Sequence, residues 1–430
     1  MKYKQNNTDV LVAGGGMAGF VAAVSAARKG CNVTIIDKMG CLGGVATSGM
    51  MSEIIAMHLD DKVVVPEISV EIMRRMIEKG AGRCWGNVST SVDEDVKTDR
   101  FRYNSEYLKI ILDDMAQEAG VKVYFCCDIN KAEEIPEGVR VTLTNTFETI
   151  HIDTKVLIDA TGNASCIYML DEKSTIVSPK EKRQAVSTIF KLGGVDVDTF
   201  VNNLTFGEVQ RIIKAGKEVG AFPSKVCGMS PVAGTDQIAF NCTRCNNIDH
   251  ESMEDISHAI METRKQIDAI VTFLKETVSG CKNAYLSSIA SSLGVRDRRK
   301  IAGLYQLTGE DVIHARKFND AVAIGVYPVD IHIPKDGKDI QFIKIKGNGI
   351  YKIPYKCMVT QRLDNVIAAG KCIDGDDVAF GAFRAMGCIQ CIGNAAGTAA
   401  FLAVKHNIGV KEIDINELQA HVRKDGVIDI

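Results

Sequence analysis

Gly14-Gly-Gly-Met-Ala-Gly19 stands between an apolar run, Val10 to Ala13, and an Ala-rich segment; a second apolar run, Val33 to Ile36, ends at Asp37. In a strand–helix–strand unit this spacing binds a dinucleotide. Gly14 permits the tight turn, Gly16 lets backbone approach a pyrophosphate, and Gly19 lets the helix lie close to the strand. The helix N-terminus offers unpaired N–H groups to the phosphates. Asp37, at the end of the second strand, suits a pair of ribose hydroxyls. The motif alone leaves NAD and FAD both open.

A second signal is Ala160-Thr-Gly162, directly after the apolar strand Lys155 to Asp159. Small residues there let the chain turn against a ligand at the carboxyl edge of a parallel sheet. The glycine-dense stretch Gly40 to Gly49 follows Asp37 and is expected to run along the cofactor as a loop. Cys41 within it has no neighbouring base to activate it. The basic segment Leu293 to Gly303 carries Arg296 between apolar residues, which suggests a cleft. Tyr327-Pro-Val-Asp-Ile-His-Ile-Pro334 is an extended strand, fixed by two prolines, that presents His332.

Fourteen cysteines include two pairs at CxxC spacing, Cys242 with Cys245 and Cys388 with Cys391. The first pair falls in an expected strand, where residues three apart point to opposite faces, and the second in an expected helix, where they share one. A four-thiolate metal or iron–sulfur site is the sharper reading. Core thiols are preferred, because structural metal sites come from compact, turn-borne pairs.

These residues need elements to hold them, and 430 residues suffice for two or three domains. With 46% hydrophobic and 24% charged residues the chain reads as an ordinary globular protein. Lys and Arg number 51 and Asp and Glu 54, a net charge of −3 that favours neither nucleic acid nor an anionic membrane. The polar start, Met1 to Thr8, leaves no room for a signal peptide, and no apolar run looks long enough to span a bilayer. A cytoplasmic protein is expected.

Periodicity predicts helices over Glu67 to Lys79 and Ser105 to Ala119, the latter stopped by Gly120, with a solvated charged run at Asp93-Glu-Asp between them. Val121 to Phe125 reads as a strand, and Val139 to Leu143 with Thr149 to Ile152 as a hairpin capping the sheet. From residue 171 to about 345 the strand–helix rhythm is lost, although a long polar helix spans Ser252 to Ser279. The sheet is expected to resume at Tyr351 to Tyr355 and Asn365 to Gly370. A Gly- and Ala-rich helix, Arg384 to Val404, closes the chain. The expected fold is α/β: a Rossmann-like domain of residues 1–170 and 346–430, discontinuous, with an inserted α+β substrate or cap domain of residues 171–345.

The ordered set Gly14-Gly-Gly-Met-Ala-Gly19, Leu42-Gly-Gly-Val-Ala-Thr47, Ile158-Asp-Ala-Thr-Gly-Asn163, Gly294-Val-Arg-Asp-Arg-Arg-Lys-Ile-Ala-Gly303, Tyr327-Pro-Val-Asp-Ile-His332, Ala369-Gly-Lys-Cys372 and Gly393-Asn-Ala-Ala-Gly397 spans nearly the whole chain. It resembles the FAD-dependent oxidoreductases related to the fumarate reductase and succinate dehydrogenase flavoproteins. Lys371 stands where that family usually has Arg, Asn163 where it often has Asp, and Phe383 where a small or hydroxyl residue is common. The resemblance implies FAD, lined by Gly14, Gly16, Met17, Ala18, Gly19, Asp37, Lys38, Gly43, Gly44, Ala46, Thr47, Ala160, Thr161, Gly162 and Gly370. The start of the last helix, Ala385 to Gly387, would face the pyrimidine edge of the flavin.

On that resemblance the expected activity is hydride transfer between flavin N5 and a small organic, carboxylate-bearing substrate. Arg384 and Arg296 would grip the carboxylate, and His332 or Tyr355 would move the proton. A single dinucleotide fingerprint implies an external electron donor or acceptor. A flavin monooxygenase or halogenase, which shares the first unit, and an electron-transfer flavoprotein using its CxxC cysteines are the alternatives. The sequence leaves the substrate and the oligomeric state, a homo-oligomer included, open.

Overall fold

The computed structural model describes residues 2–60, 62–89, 97–180, 183–225, 227–296, 299–331, 341–427 and 430. The charged run at Asp93 and the expected proton carrier His332 lie outside them. Strand β1 (Lys2–Ala13) leads through the glycine turn into helix α1 (Met17–Arg28) and strand β2 (Val33–Ile36). Helix α2 (Ser105–Glu118), capped by the Asn104 side chain, feeds β3 (Lys122–Tyr124). Then come β4 (Asp128–Ile135), β5 (Gly138–Thr144) and β6 (Glu148–Asp159). The order across the sheet is β3-β2-β1-β6-β5-β4, with β3, β2, β1 and β6 parallel and the last three antiparallel.

The expected hairpin strand Thr149 to Ile152 and the strand Lys155 to Asp159 prove to be one element, β6. It pairs with β1 from Lys2 opposite Glu148 to Ala13 opposite Asp159. Periodicity misses this continuity because the outer half of β1 is largely exposed, so only Val10 to Ala13 shows the unbroken apolar pattern of a strand covered on both faces.

A second sheet follows, of β7 (Phe190–Gly193), β8 (Gly228–Pro231) and β9 (Ile238–Asn241), with the long helix α3 (Met253–Thr277) leading to β10 (Tyr285–Ile289). Its strands run antiparallel in the order β8-β9-β7-β10. Phe190, Phe200, Phe240 and Phe273 build an apolar core of its own there. Residues from Ile301 to Val329 instead join the core of the first sheet.

The chain returns with β11 (Val366–Ala368), which extends the parallel sheet beside β6. Tyr351–Pro354, expected in that sheet, pairs with Ala321–Gly325 in a separate two-stranded ribbon. Helix α4 (Asp377–Phe383) and helix α5 (Met386–His406) complete the layer. Contrary to the expectation of no spanning run, α5 is long and apolar enough to cross a bilayer, but most of it is buried within the protein. It lies backbone to backbone on α1: a Cβ at Gly393 would stand 2.3 Å from the Ala18 carbonyl oxygen, and one at Gly397 2.2 Å from that of Ala22. The Gly-Ala content of α5 is thus explained by helix packing.

Candidate functional site

The three motif glycines do different work. Gly14 has φ +100°, and a Cβ there would meet the Ala160 carbonyl oxygen at 2.4 Å. Gly19 faces the Gly14 carbonyl oxygen, which a Cβ would approach to 1.9 Å. Both are demanded by the fold. At Gly16 a Cβ would meet no protein atom within 4 Å, so the space beside it is open to a ligand.

The loop after Asp37 lies alongside this turn. Gly43 N donates to the Gly15 carbonyl at 2.7 Å, and a Cβ at Gly44 would stand 3.0 Å from the Gly16 Cα. Asp37 joins the two loops: its Oδ2 accepts from Gly15 N at 2.6 Å and its Oδ1 from Met39 N at 2.7 Å. Burial holds its carboxyl above the usual range despite those bonds. Thr47 Oγ1 donates to the Leu42 carbonyl at 2.5 Å, and Ala46 is buried with its carbonyl accepting from Tyr103. Met17 and Ala18 are buried in the first turn of α1, while Lys38 is exposed. Gly44–Ala46 forms a short 3-10 turn inside the expected loop.

Across the sheet edge, Ala160 N donates to the Ala13 carbonyl at 2.8 Å. The turn Ala160 to Gly162 is organised by Asp159, to which the sequence assigns no role. Its fully buried carboxylate accepts from Thr161 N and Thr161 Oγ1 and from the amides of Cys166 and Ile167, which open the next short helix. Lys371 then ties three distant segments together. Its stem passes Gly162, with Cε 3.0 Å from that residue's Cβ position, and its Nζ donates to the carbonyls of Val295 and Arg296 at 2.6 and 2.7 Å. Gly370, at φ +87°, rests on Ala18.

Of the described helices of ten residues or more, only α1 and α5 begin with neither a capping side chain nor an acidic residue in the first turn. Both N-termini therefore present uncompensated N–H groups. One stands at the open space beside Gly16. The other, at Ala385 and Met386, lines a cavity of about 310 Å³ between the two sheets. A Cβ at Gly387 would lie 2.1 Å from the Ala56 carbonyl oxygen, so that glycine serves close packing. An open glycine cradle with an uncapped helix at one end, and a second uncapped helix at a cavity, fit a long molecule with an anionic middle and an anionic far edge. FAD has that form.

The cavity is cationic. Arg100, Arg244, Arg296, Lys371 and Arg384 line it, against Glu53 and Asp330. Arg384 Nη2 donates to the Asp330 carbonyl at 2.9 Å and to Asp330 Oδ2 at 3.1 Å, while its buried Nε has no hydrogen-bond partner among the described residues. Arg296 lines the same cavity and donates to the Ala185 carbonyl. Burial alone would raise the Glu53 carboxyl, but Arg100 at 2.5 Å and Arg102 at 3.6 Å hold it below its ordinary value. Arg244 is fully buried; its Nη1 donates to the Thr243 carbonyl at 2.7 Å, and burial draws its pKa down.

Tyr355 does not reach this cavity: it is buried, and its hydroxyl donates to the Val410 carbonyl at 2.9 Å. Its apolar surroundings are those of the main core, where the short 3-10 turn after Tyr351–Pro354 carries it. Tyr327 lines the cavity instead, its ring packed with Ala56 and Ala385 and its hydroxyl donating to Asp330 Oδ2 at 3.2 Å. Burial, reinforced by Asp330, pushes the phenol upward, so it keeps its proton at neutral pH. The motif Tyr327 to His332 contains both Tyr327 and Asp330, so a signal for them exists in the sequence. Glu53, Arg100 and Arg244 carry none: the first two are brought together by the pairing of Glu53–Ile55 with Lys97–Tyr103, and Arg244 by the turn after β9.

The four CxxC cysteines are spread over three separate clusters. Cys242 packs in the core of the second sheet, Cys245 in a small cluster with Val186 and Ala259, and Cys388 and Cys391 in the main core.

The sequence profile of the FAD-dependent oxidoreductases matches residues 9–422. Among solved structures, a geranylgeranyl bacteriochlorophyll reductase-like protein from Thermoplasma acidophilum is similar with a TM-score of 0.54 at 13% identity, over 98% of this chain and 83% of that one. The p-nitrophenol 4-monooxygenase of Pseudomonas putida is similar with a TM-score of 0.52 at 8% identity, over 99% of this chain and 85% of that one. At these identities the likeness is one of fold.

Proposed function

This chain belongs to the FAD-dependent oxidoreductase family, and from that premise we propose that it moves a hydride between flavin N5 and a small organic substrate bearing a carboxylate. FAD, when bound, supplies the two-electron hydride carrier. Gly14 to Gly19, Asp37, Gly43, Gly44, Ala160 to Gly162 and Gly370 hold it in this reading, and the α5 N-terminus favours negative charge at the flavin's pyrimidine edge.

The observation that carries the substrate class is Arg384, whose guanidinium lines a cationic cavity beside the α5 N-terminus and is fixed by Asp330. A guanidinium held in this way grips a carboxylate at little further entropic cost. Tyr327, protonated and hydrogen-bonded to Asp330, carries the accompanying proton. Kinship within the family to the fumarate reductase and succinate dehydrogenase flavoproteins rests on the shared motifs. The electron partner is external in this reading, since one dinucleotide fingerprint serves the flavin.

The test is anaerobic. Purified protein should release FAD on denaturation, and after reduction its bleached flavin should be reoxidised by members of a panel of unsaturated acids, imines and quinones. Failure of every acid and imine to restore the colour would overturn the substrate class. NADPH consumption in air, with oxygen incorporated into product, would assign the monooxygenase reading instead.

A further inference from the structure

Cys242 does not pair with Cys245, but it does face another cysteine. Strands β8 and β9 are antiparallel with Gly228 opposite Asn241 and Met229 opposite Phe240. One step outward along that register, Cys227 stands opposite Cys242. Directly opposed residues of an antiparallel pair have Cα atoms about 4.5 to 5.5 Å apart, inside the span of about 4.4 to 6.8 Å that a disulfide bridges. Both thiols are reduced, buried and in the same apolar core.

Their position relative to the cavity gives the pair its interest. Gly228 and Asn241 line the cavity, so by strand alternation the two thiols lie on the opposite face of that same wall. Gly228 contributes no side chain to screen the backbone there. Arg244, which also lines the cavity, follows Cys242 by two residues.

We propose that Cys227 and Cys242 are a redox-active dithiol in the wall of the flavin cavity, closing to a disulfide with hydrogen peroxide and reopening with a thiol reductant. One thiolate attacks a peroxide oxygen; the O–O bond breaks, leaving a sulfenic acid and, with the displaced proton, one water. The second sulfur then attacks the first, the S–O bond breaks, and a second water leaves with the remaining thiol proton. Each cysteine gives one electron and peroxide accepts two. Burial holds the Cys227 thiol above its ordinary value, so little thiolate forms at neutral pH and the attack on peroxide is slow. The inference is independent of the substrate proposed above.

The flavin-loaded protein is exposed to hydrogen peroxide, then denatured, alkylated, and mapped by mass spectrometry without reduction. Alkylatable thiols should fall by two for the disulfide, a peptide joining Cys227 to Cys242 should appear, and dithiothreitol should remove it. Bound-flavin fluorescence should change and recover with the same treatments. Cys227→Ala and Cys242→Ala should each abolish the cross-link, and because the wild-type map stands by itself, a poorly folding variant leaves the test decisive. Absence of the cross-link under peroxide that oxidises the exposed Cys84 and Cys126 would overturn the proposal, as would a disulfide between other cysteines. A cross-link that leaves flavin fluorescence unmoved would overturn its coupling to the cavity.

Discussion

Arg384 and Asp330 meet twice at the rim of the cavity, through the Asp330 carbonyl at 2.9 Å and through its carboxylate at 3.1 Å. The double contact fixes the plane of the guanidinium before any substrate arrives. A planar fork oriented in this way is a different device from a mobile ammonium of equal charge.

Arg384→Lys should therefore retain the positive charge and the flavin yet lose the substrate grip. Hydrogen bonds to charged groups contribute about 1.5 to 3 kcal/mol, so kcat/KM should fall roughly 10- to 100-fold. Steady-state kinetics on any substrate found by the reoxidation panel, together with flavin absorbance per chain, check this. Loss of flavin would contradict the separation of anchoring from chemistry.

Gly16 and Gly19 should part company on substitution. A Cβ at Gly16 meets no protein atom within 4 Å, so Gly16→Ala should leave the urea midpoint of the flavin-free protein unchanged while flavin retention falls. Gly19→Ala drives a Cβ to 1.9 Å from the Gly14 carbonyl oxygen and should cost about 1 to 3 kcal/mol of stability through the strain of overpacking. Flavin content and urea unfolding, measured on both variants, separate ligand crowding from fold damage.

Asp159→Ala removes the acceptor for four hydrogen bonds that shape the Ala160 to Gly162 turn. Amides left unpaired in a buried setting cost about 1 to 3 kcal/mol each when unsatisfied. Stability and flavin retention should fall together, in contrast to Gly16→Ala, and the same two measurements decide it.

Lys191, buried on β7, donates to Ser105 Oγ of α2 at 2.7 Å, and burial lowers its pKa to about 8. The unfolded chain thus binds more protons than the folded one between about pH 8 and the ordinary lysine value, and stability contributed by this group rises with pH across that window. Below it, both states are protonated and the burial penalty is fully present. Subtracting the urea-unfolding free energies of Lys191→Met from those of wild type at several pH values should give a difference that rises from pH 8 to 10. A flat difference would contradict it.

Much of the nucleotide half was legible because its constraints are local. The strand, turn and helix around Gly14 occupy consecutive residues, and each glycine answers to a backbone contact within the same unit or just across the sheet. The Gly-Ala content of the last helix was readable as close packing for the same reason: small residues permit one kind of contact. The strand from Glu148 to Asp159 was harder, since its first half pairs with an exposed stretch of β1 and lacks the pattern of a buried strand.

The cavity was the least legible. From sequence Tyr355 is expected to carry a proton, and only the ribbon of Ala321–Gly325 with Tyr351–Pro354 shows it turned toward Val410. Glu53 and Arg100 arrive on paired strands almost fifty residues apart and Arg244 from the turn after β9, so no spacing links them.

The sequence by itself determined the dinucleotide-binding fold, because a turn that must admit a pyrophosphate constrains neighbouring residues directly. Tertiary structure alone decided which charges line the cavity and which cysteine opposes Cys242. Those depend on strand register and on the meeting of two sheets, where a shift of one residue would turn each side chain to the other face.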